Sequence, residues 1–387
     1  MQKTITPYQT IGIIGGGQLG RMMALSAKAM GYYVAILDPT PNCPAAQVSD
    51  TEIIAAYNDL DAIKRLAEIS NVITYEFENI DYKALTWLEK NAYLPQGSQV
   101  LKTTQHRFRE KSAIADMGIP VPKFVLIDTP ESLEKNIIYP SVLKTTTGGY
   151  DGKGQIVIKS EADLPRAKEL AATNECILEE FMHFSKEVSV IIARSPSGES
   201  AVFPVAENHH VNNILHSSIV PARISKKVEE EAIAHAVKIA ETLDAVGILG
   251  IEMFVVNDTI YINELAPRPH NSGHYTIDAC ITSQFEQHVR AVCNLPLGDT
   301  SLHTPVVMVN ILGDHMDKEN MSNLAPYLPL MEMGKIHLYG KGQAVDKRKM
   351  GHINILGKSN SKMGHVNILG DIDQILAAIT KAKIWDK

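Results

Sequence analysis

The chain has 387 residues, 45% of them hydrophobic and 21% charged, with a formal net charge of −7. That length leaves room for two or three domains with full cores, and the acid excess argues against a nucleic-acid or anionic-membrane partner. The four cysteines, Cys43, Cys176, Cys280 and Cys293, form no CxxC or Cys/His ligand spacing, which fits a reduced cytoplasmic setting.

The N-terminal MQKTITPYQT leads straight into a predicted strand and leaves no room for a signal peptide. No apolar run approaches the roughly 18 residues of a membrane span. IGIIG then reads as a strand, QLGRMMALSAKAMG as a helix and YYVAILD as a strand. VSDTEIIAAYND follows, then the helix LDAIKRLAEI, the strand NVITYEF and the helix DYKALTWLEKN. Alternating strands and helices predict a parallel, doubly wound sheet. Gly15-x-Gly17-x-x-Gly20 sits at its first strand–helix turn, and Asp38 ends the next strand where a dinucleotide fold keeps its ribose-binding acid. That motif alone leaves both a dinucleotide and another ligand open.

From Gln99 the pattern changes. QHRFREKSAIADMGIP predicts a helix closed by Gly118 and Pro120. YPSVLKT and QIVIKS are strands flanking TTGGYDGKG, and ECILEEF and EVSVIIAR are strands around MHFSK. KKVEEEAIAHAVKIAETLDA is a long helix with Ile233, Val237, Ile239 and Leu243 toward a core. ILGIEMFVV and TIYINEL predict a hairpin across Asn257-Asp258-Thr259. Residues 297–387 read as a small mixed set of strands and a final helix, DIDQILAAITKAKI. A tandem repeat lies there, KMGHINILG from 349 and KMGHVNILG from 362, which reads as a duplication and not a solenoid.

Two patterns carry chemistry. The loop TTTGGYDGKGQ follows Lys144 and contains Gly148, Gly149, Gly152, Lys153 and Gly154, so it can fold over phosphates with backbone N–H groups and a cation. It lacks the glycine spacing and the Ser or Thr of a Walker A loop. In the hairpin, a three-residue turn centred on Asp258 places Glu252 opposite Glu264, about 5 Å apart at Cβ. Two facing carboxylates suit Mg²⁺, which completes its octahedron with phosphate oxygens and water. A shared proton or a solvated pair is the alternative. LEEFMHFSKEV reads by itself as an edge strand with surface acids, with a nucleotide slot of Glu179, Phe181 and Glu187 as the alternative.

VLKTTTGGYDGKGQ, EEF…SKEVSV, GILGIEMF, YINELAPRPHNSGHYT and YGK…RKMGHIN, in this order, resemble the ATP-grasp superfamily and, within it, the 5-(carboxyamino)imidazole ribonucleotide synthases of purine biosynthesis. The resemblance spans essentially the whole chain. It implies an α/β and α+β architecture: a Rossmann-like domain over 1–105, a split ATP-grasp domain over 106–296 and a small C-terminal domain over 297–387. It implies ATP and Mg²⁺ as cofactors, a homodimer, and 5-aminoimidazole ribonucleotide and bicarbonate as substrates.

The resemblance also implies site residues. Arg107 and Lys144 would contact the α- and β-phosphates. Gly149, Tyr150, Asp151, Gly152, Lys153, Gly154 and Gln155 would close over the phosphates. Glu179, Glu180, Phe181 and Met182 would frame the adenine, and Glu187 would hold the ribose. His210, Asn263 and Glu264 would complete the nucleotide site, with Glu252 and Glu264 on the metal. Ala266 stands where many relatives in the superfamily carry Asn, which shifts coordination toward water or Asn263. Arg268, His270 and Asn271, with Lys153, would act at the γ-phosphate and bicarbonate. Gln18 and Leu19 would face the ribonucleotide, so the glycine motif serves no dinucleotide and Asp38 only caps its strand. Glu76, Tyr150, Asp151 and Asn271 would join them, with Glu78 beside Glu76. Lys341, Arg348 and Lys349 would hold the ribonucleotide phosphate, making the first repeat copy the binding one and the second a structural strand.

The reaction implied is ATP, bicarbonate and 5-aminoimidazole ribonucleotide giving the N-carboxylated product, ADP and phosphate. Formate-dependent and glycinamide ribonucleotide ligases are the near alternatives, and a nicotinamide oxidoreductase the remote one. The oxidoreductase leaves the Glu252/Glu264 pair and the GYDGKGQ loop unexplained.

Overall fold

The computed structural model describes residues 3–149, 152–316, 324, 327–357 and 368–381. The expected parallel sheet is built from β1 (Thr10–Ile14), β2 (Tyr33–Asp38), β3 (Thr51–Ile54) and β4 (Val72–Tyr75), in the order β3-β2-β1-β4. Helices α1 (Gln18–Ala29), α2 (Leu60–Ile69) and α3 (Tyr82–Asn91) pack on its faces. Asp59 and Asp81 start α2 and α3 by accepting backbone N–H groups of the first turn. The segment VSDTEIIAAYND, which sequence patterning left unassigned, supplies β3 at the sheet edge.

Two helices follow, α4 (Gln99–Thr104) and α5 (Arg107–Asp116). A small antiparallel sheet comes next: β5 (Phe124–Ile127), α6 (Pro130–Asn136), β6 (Ser141–Thr145), β7 (Gln155–Ile158), α7 (Leu164–Thr173) and β8 (Cys176–Glu180), with strand order β5-β8-β6-β7. The glycine-rich loop is the β6–β7 connection. The main sheet then begins with β9 (Lys186–Arg194), β10 (Ser200–Val202), β11 (Ala206–Val211) and β12 (Ile214–Val220). It continues after α8 (Lys226–Thr242) with β13 (Gly247–Val256) and β14 (Thr259–Ala266). Beyond α9 (Thr276–Ala279) and α10 (Gln284–Val292), it takes in β15 (Val306–Leu312), β16 (Gly334–Leu338) and β17 (Lys349–Leu356); α11 (Ile368–Lys381) packs on β15. The order is β14-β13-β9-β11-β12-β15-β17-β16, with β10 on β9. The ladder therefore crosses residue 297 without a break.

The expected core face of α8 holds: Ile239 is buried, and Ile233, Val237 and Leu243 pack, partly buried, against the same core, beside buried Val228, Ala232, Ala236 and Ala240. Alanines at i, i+4 and i+8 let the helix lie close on the sheet, and the bulkier residues flank that contact. Two expectations are corrected. The β13–β14 turn has two residues, not three: Asn257 and Asp258 both adopt left-handed φ, 49° and 57°. Val256 consequently pairs with Thr259, and Met253 with Ile262, one residue away from the expected register. A bulge between Glu252 and Met253 then restores it, and Glu252 does pair with Glu264. In the tandem repeat, the first copy is β17, enclosed by β15 and β16. Most of the second copy lies outside the described residues, and its last residues, 368–370, open α11 and are not strand.

Candidate functional site

A cavity of about 650 Å³ opens between the two antiparallel sheets and the carboxyl ends of the parallel strands. It gathers Gln18, Leu19, Glu76, Glu78, Arg107, Lys144, Gly149, Gly152, Lys153 and Gln155, and with them Glu179, Glu180, Phe181, Met182, Glu187, His210, Glu252, Asn263, Glu264, Arg268, His270, Asn271 and Lys349. Gly154, Lys341 and Arg348 do not line it. Lys341 stands just behind, donating from Nζ to the Lys349 carbonyl at 2.6 Å. Tyr150 and Asp151 lie outside the described residues.

Each carboxylate of the pair has a partner. Arg107 Nη1 donates to Glu264 Oε2 at 3.1 Å, and Arg107 Nη2 donates to the Gly149 carbonyl at 2.8 Å. His270 Nε2 lies 3.2 Å from Glu252 Oε1. Burial alone would raise the Glu252 pKa, but the hydrogen bond from His270, helped by the Lys349 charge, holds it below the usual range. His270 is itself fixed by a buried chain. Ser218 donates to Asn208 (2.8 Å), Asn208 to Ser189 (2.9 Å), and Ser189 to Ser272 (2.7 Å). The Ser272 hydroxyl lies 2.9 Å from His270 Nδ1. The Ser272 backbone N–H also points at Nδ1, so Nδ1 accepts and the Nε2 hydrogen faces Glu252.

Lys144, the residue before the last of β6, donates to Glu179 Oε2 at 2.7 Å, while Lys111 Nζ lies 3.9 Å from Oε1. Burial would raise the Glu179 pKa; the Lys111 and Lys144 charges outweigh it and pull it to about 2. Burial presses Lys111 the other way, toward neutrality. Two carbonyls and a carboxylate surround its Nζ, which is the environment of a three-donor ammonium, so the charged form is the consistent one. Lys111 and its neighbour Glu110 were not singled out from the sequence. The signal was their i+3 and i+4 spacing from Arg107 on one face of α5. Burial and the charge of Glu264 raise the Glu110 pKa. At the slot end, Glu187 Oε2 meets His210 Nδ1 at 2.5 Å, and Phe184 stacks on Phe254 at 4.6 Å.

The glycine turn is filled by the chain's own acids. Glu76 accepts from Gly17 and Gly20 N–H, each at 2.5 Å. Asp38 accepts from Gly16 N–H at 2.7 Å and from the Tyr57 hydroxyl at 2.6 Å, so it anchors the loop as well as ending β2. A pyrophosphate would need these same donors. Arg268 Nε lies 2.7 Å from Glu78 Oε1, off the line of a hydrogen bond.

The donor set fits a nucleotide with Mg²⁺. The described residues hold no cluster of three or more His, Cys, Asp or Glu able to bind a metal alone. Two carboxylates leave the remaining positions to phosphate oxygens and water. Asn263 Oδ1 and both polar atoms of the Asn271 side chain are buried without hydrogen-bond partners, which is the state of groups that await a polar ligand.

Models of three families match: an ATP-grasp domain over 112–285, a ribonucleotide synthetase preATP-grasp domain over 8–105, and a phosphoribosylaminoimidazole carboxylase C-terminal domain over 306–361. The chain is 53% identical to N5-carboxyaminoimidazole ribonucleotide synthase of Bacillus subtilis strain 168, covering 92% of this chain and 93% of that protein. A crystal structure of an N5-carboxyaminoimidazole ribonucleotide synthetase in its ADP complex superposes with a TM-score of 0.93 at 58% identity, covering 100% and 99%. The Aspergillus clavatus synthase, in complex with ADP and 5-aminoimidazole ribonucleotide, gives 0.86 at 30% identity, covering 96% and 99%. Fold and site together define an ATP-grasp ligase. The chain belongs to the N5-carboxyaminoimidazole ribonucleotide synthase family.

Proposed function

We propose that this chain uses ATP to carboxylate the exocyclic amine of 5-aminoimidazole ribonucleotide with bicarbonate, releasing ADP and phosphate. The observation that carries this reading is the single cavity in which the Glu252/Glu264 pair and the Arg268–Asn271 segment meet the Gln18–Leu19 turn. Bicarbonate is a poor electrophile because hydroxide leaves badly. Transfer of the γ-phosphoryl group makes carboxyphosphate, whose leaving group is phosphate, and the amine attacks it or the CO₂ it releases. Positioning and charge neutralisation supply most of the catalysis.

Arg107 and Lys144 are assigned to the ATP phosphates, under the loop from Gly149 to Gln155. Glu179, Glu180, Phe181 and Met182 are assigned to the adenine, and Glu187 with His210 to the ribose. Arg268, His270 and Asn271 are assigned to bicarbonate and the γ-phosphate, where the Arg268 fork suits a planar anion. Lys341, Arg348 and Lys349 are assigned to the ribonucleotide phosphate. Glu252 and Glu264 would hold Mg²⁺, which would offset phosphate charge. A cytoplasmic homodimer divided at about residues 105 and 296 completes the reading.

The test is ADP release with 5-aminoimidazole ribonucleotide, with and without bicarbonate. Release should require both. Equal release without bicarbonate, or dependence on formate, would remove the carboxylation reading.

A further inference from the structure

β14 is the edge of the main sheet. Its outward-facing amides mark the bulge. Ile260 N–H donates to Glu231, Ile262 N–H to the Pro120 carbonyl, and the next outward donor is Leu265 N–H. The step of two residues becomes three, and the extra residue is Asn263. Without that step, Glu252 would face Asn263. Glu264 would then pair with Ile251, whose side chain lies in the core.

Two side chains of α5 hold the bulge. Lys111 Nζ donates to the carbonyls of Ile262 (3.1 Å) and Asn263 (2.5 Å). Glu110 Oε1 accepts from Leu265 N–H at 2.6 Å. They are 1% and 2% exposed. Lysine and glutamate side chains are seldom so buried. Their placement is better explained by the backbone they grip. Lys111 also approaches Glu179 on β8, so one ammonium touches both sheets that enclose the cavity.

We propose that Glu110 and Lys111 are positioning residues that hold the Asn263 bulge and thereby set Glu252 against Glu264. This rests on the reading of that pair as the Mg²⁺ site.

The test is ADP binding by calorimetry, with and without Mg²⁺, in wild type, Lys111→Met, Lys111→Gln, Glu110→Leu and Glu110→Gln. In wild type, Mg²⁺ should tighten ADP binding. Lys111→Met and Glu110→Leu should lose about 10- to 100-fold of that gain, the usual cost of removing a group that orients a metal ligand. Their Mg²⁺-free ADP affinity should stay at the wild-type value. Glu110→Gln keeps an oxygen for Leu265 N–H and should retain the gain. Lys111→Gln keeps a donor without the charge, folds more readily than the methionine variant, and should lose part of it. A full Mg²⁺ gain in either Lys111 variant, an equal loss of Mg²⁺-free binding, or a Glu110→Gln as impaired as Glu110→Leu would overturn the proposal. A wild type with no Mg²⁺ gain would instead take down the metal reading beneath it.

Discussion

Replacing Lys144 with methionine keeps the side-chain stem and removes the charge that faces Glu179 at 2.7 Å. Glu179 is 3% exposed, so solvent does little to screen the pair. Its pKa falls from the usual 4.5 to about 2, worth on the order of 3 kcal/mol of stability at pH 7. A depressed carboxylate stabilises the fold above its unfolded pKa, and that contribution disappears as pH falls through about 2. Lys111 remains 3.9 Å away, so Lys144→Met should lose part of this, about 1–2 kcal/mol in urea denaturation at pH 7. Its stability should also depend less on acid between about pH 4.5 and 2. ATP affinity should fall roughly tenfold, near the lower end for a charge-assisted contact, because the phosphate must share Lys144 with Glu179. Adding Glu179→Gln should restore most of the stability and none of the ATP affinity. A double variant no more stable than Lys144→Met would show that the pair does not hold Glu179 in place.

Glu264→Gln should abolish turnover, yet move the apo melting transition little, since the Arg107 partner it loses faces a carboxylate that is 38% exposed; turnover near the wild-type rate would remove Glu264 from the metal. NAD should neither raise the melting temperature nor bind below about millimolar, because Asp38 and Glu76 already occupy the amides of Gly16, Gly17 and Gly20; a clear shift with NAD and none with ATP would reverse the reading of the glycine turn. Burial, helped by the Arg348 charge, lowers the Lys341 pKa to about 8. The ribonucleotide KM should therefore climb as pH rises past about 8, and a flat profile to about pH 9.5 would take Lys341 off the phosphate. Arg348→Ala should raise the same KM at least roughly tenfold and Lys362→Ala much less; the opposite ranking in steady-state kinetics would assign the phosphate to the second repeat copy.

Local rules reached the parallel sheet, the hairpins, the glycine-rich loop and the Glu252/Glu264 pair, because those signals lie within a few residues of one another; most of the other cavity-lining residues came from the family resemblance. The Glu252–Glu264 pairing was reached through two offsetting errors: a turn one residue too long and an unseen bulge at Asn263. The bulge has no local signature, since Lys111 and Glu110 hold it from about 150 residues away. Those two were missed because composition rules place lysine and glutamate at the surface. The burial of Glu76 against Gly17 and Gly20, and the contact of Glu187 with His210, depend likewise on pairings between distant strands.

The main sheet behaves as an arch. From β13 to β17 there are five interstrand steps, which on a flat sheet would separate the two strands by about 24 Å. Yet Glu252 of β13 and Lys349 of β17 line one cavity, and the charge of Lys349 acts on Glu252. The span between the two abutments is thus fixed by curvature. Ser189, Asn208 and Ser218 stand on the middle strands like keystones, locked to one another by hydrogen bonds. An arch of this kind cannot widen by a hinge near residue 297. The small sheet carrying Lys144 and the glycine loop is a separate sheet, tied to the arch where Lys111 reaches both Glu179 and the Asn263 carbonyl.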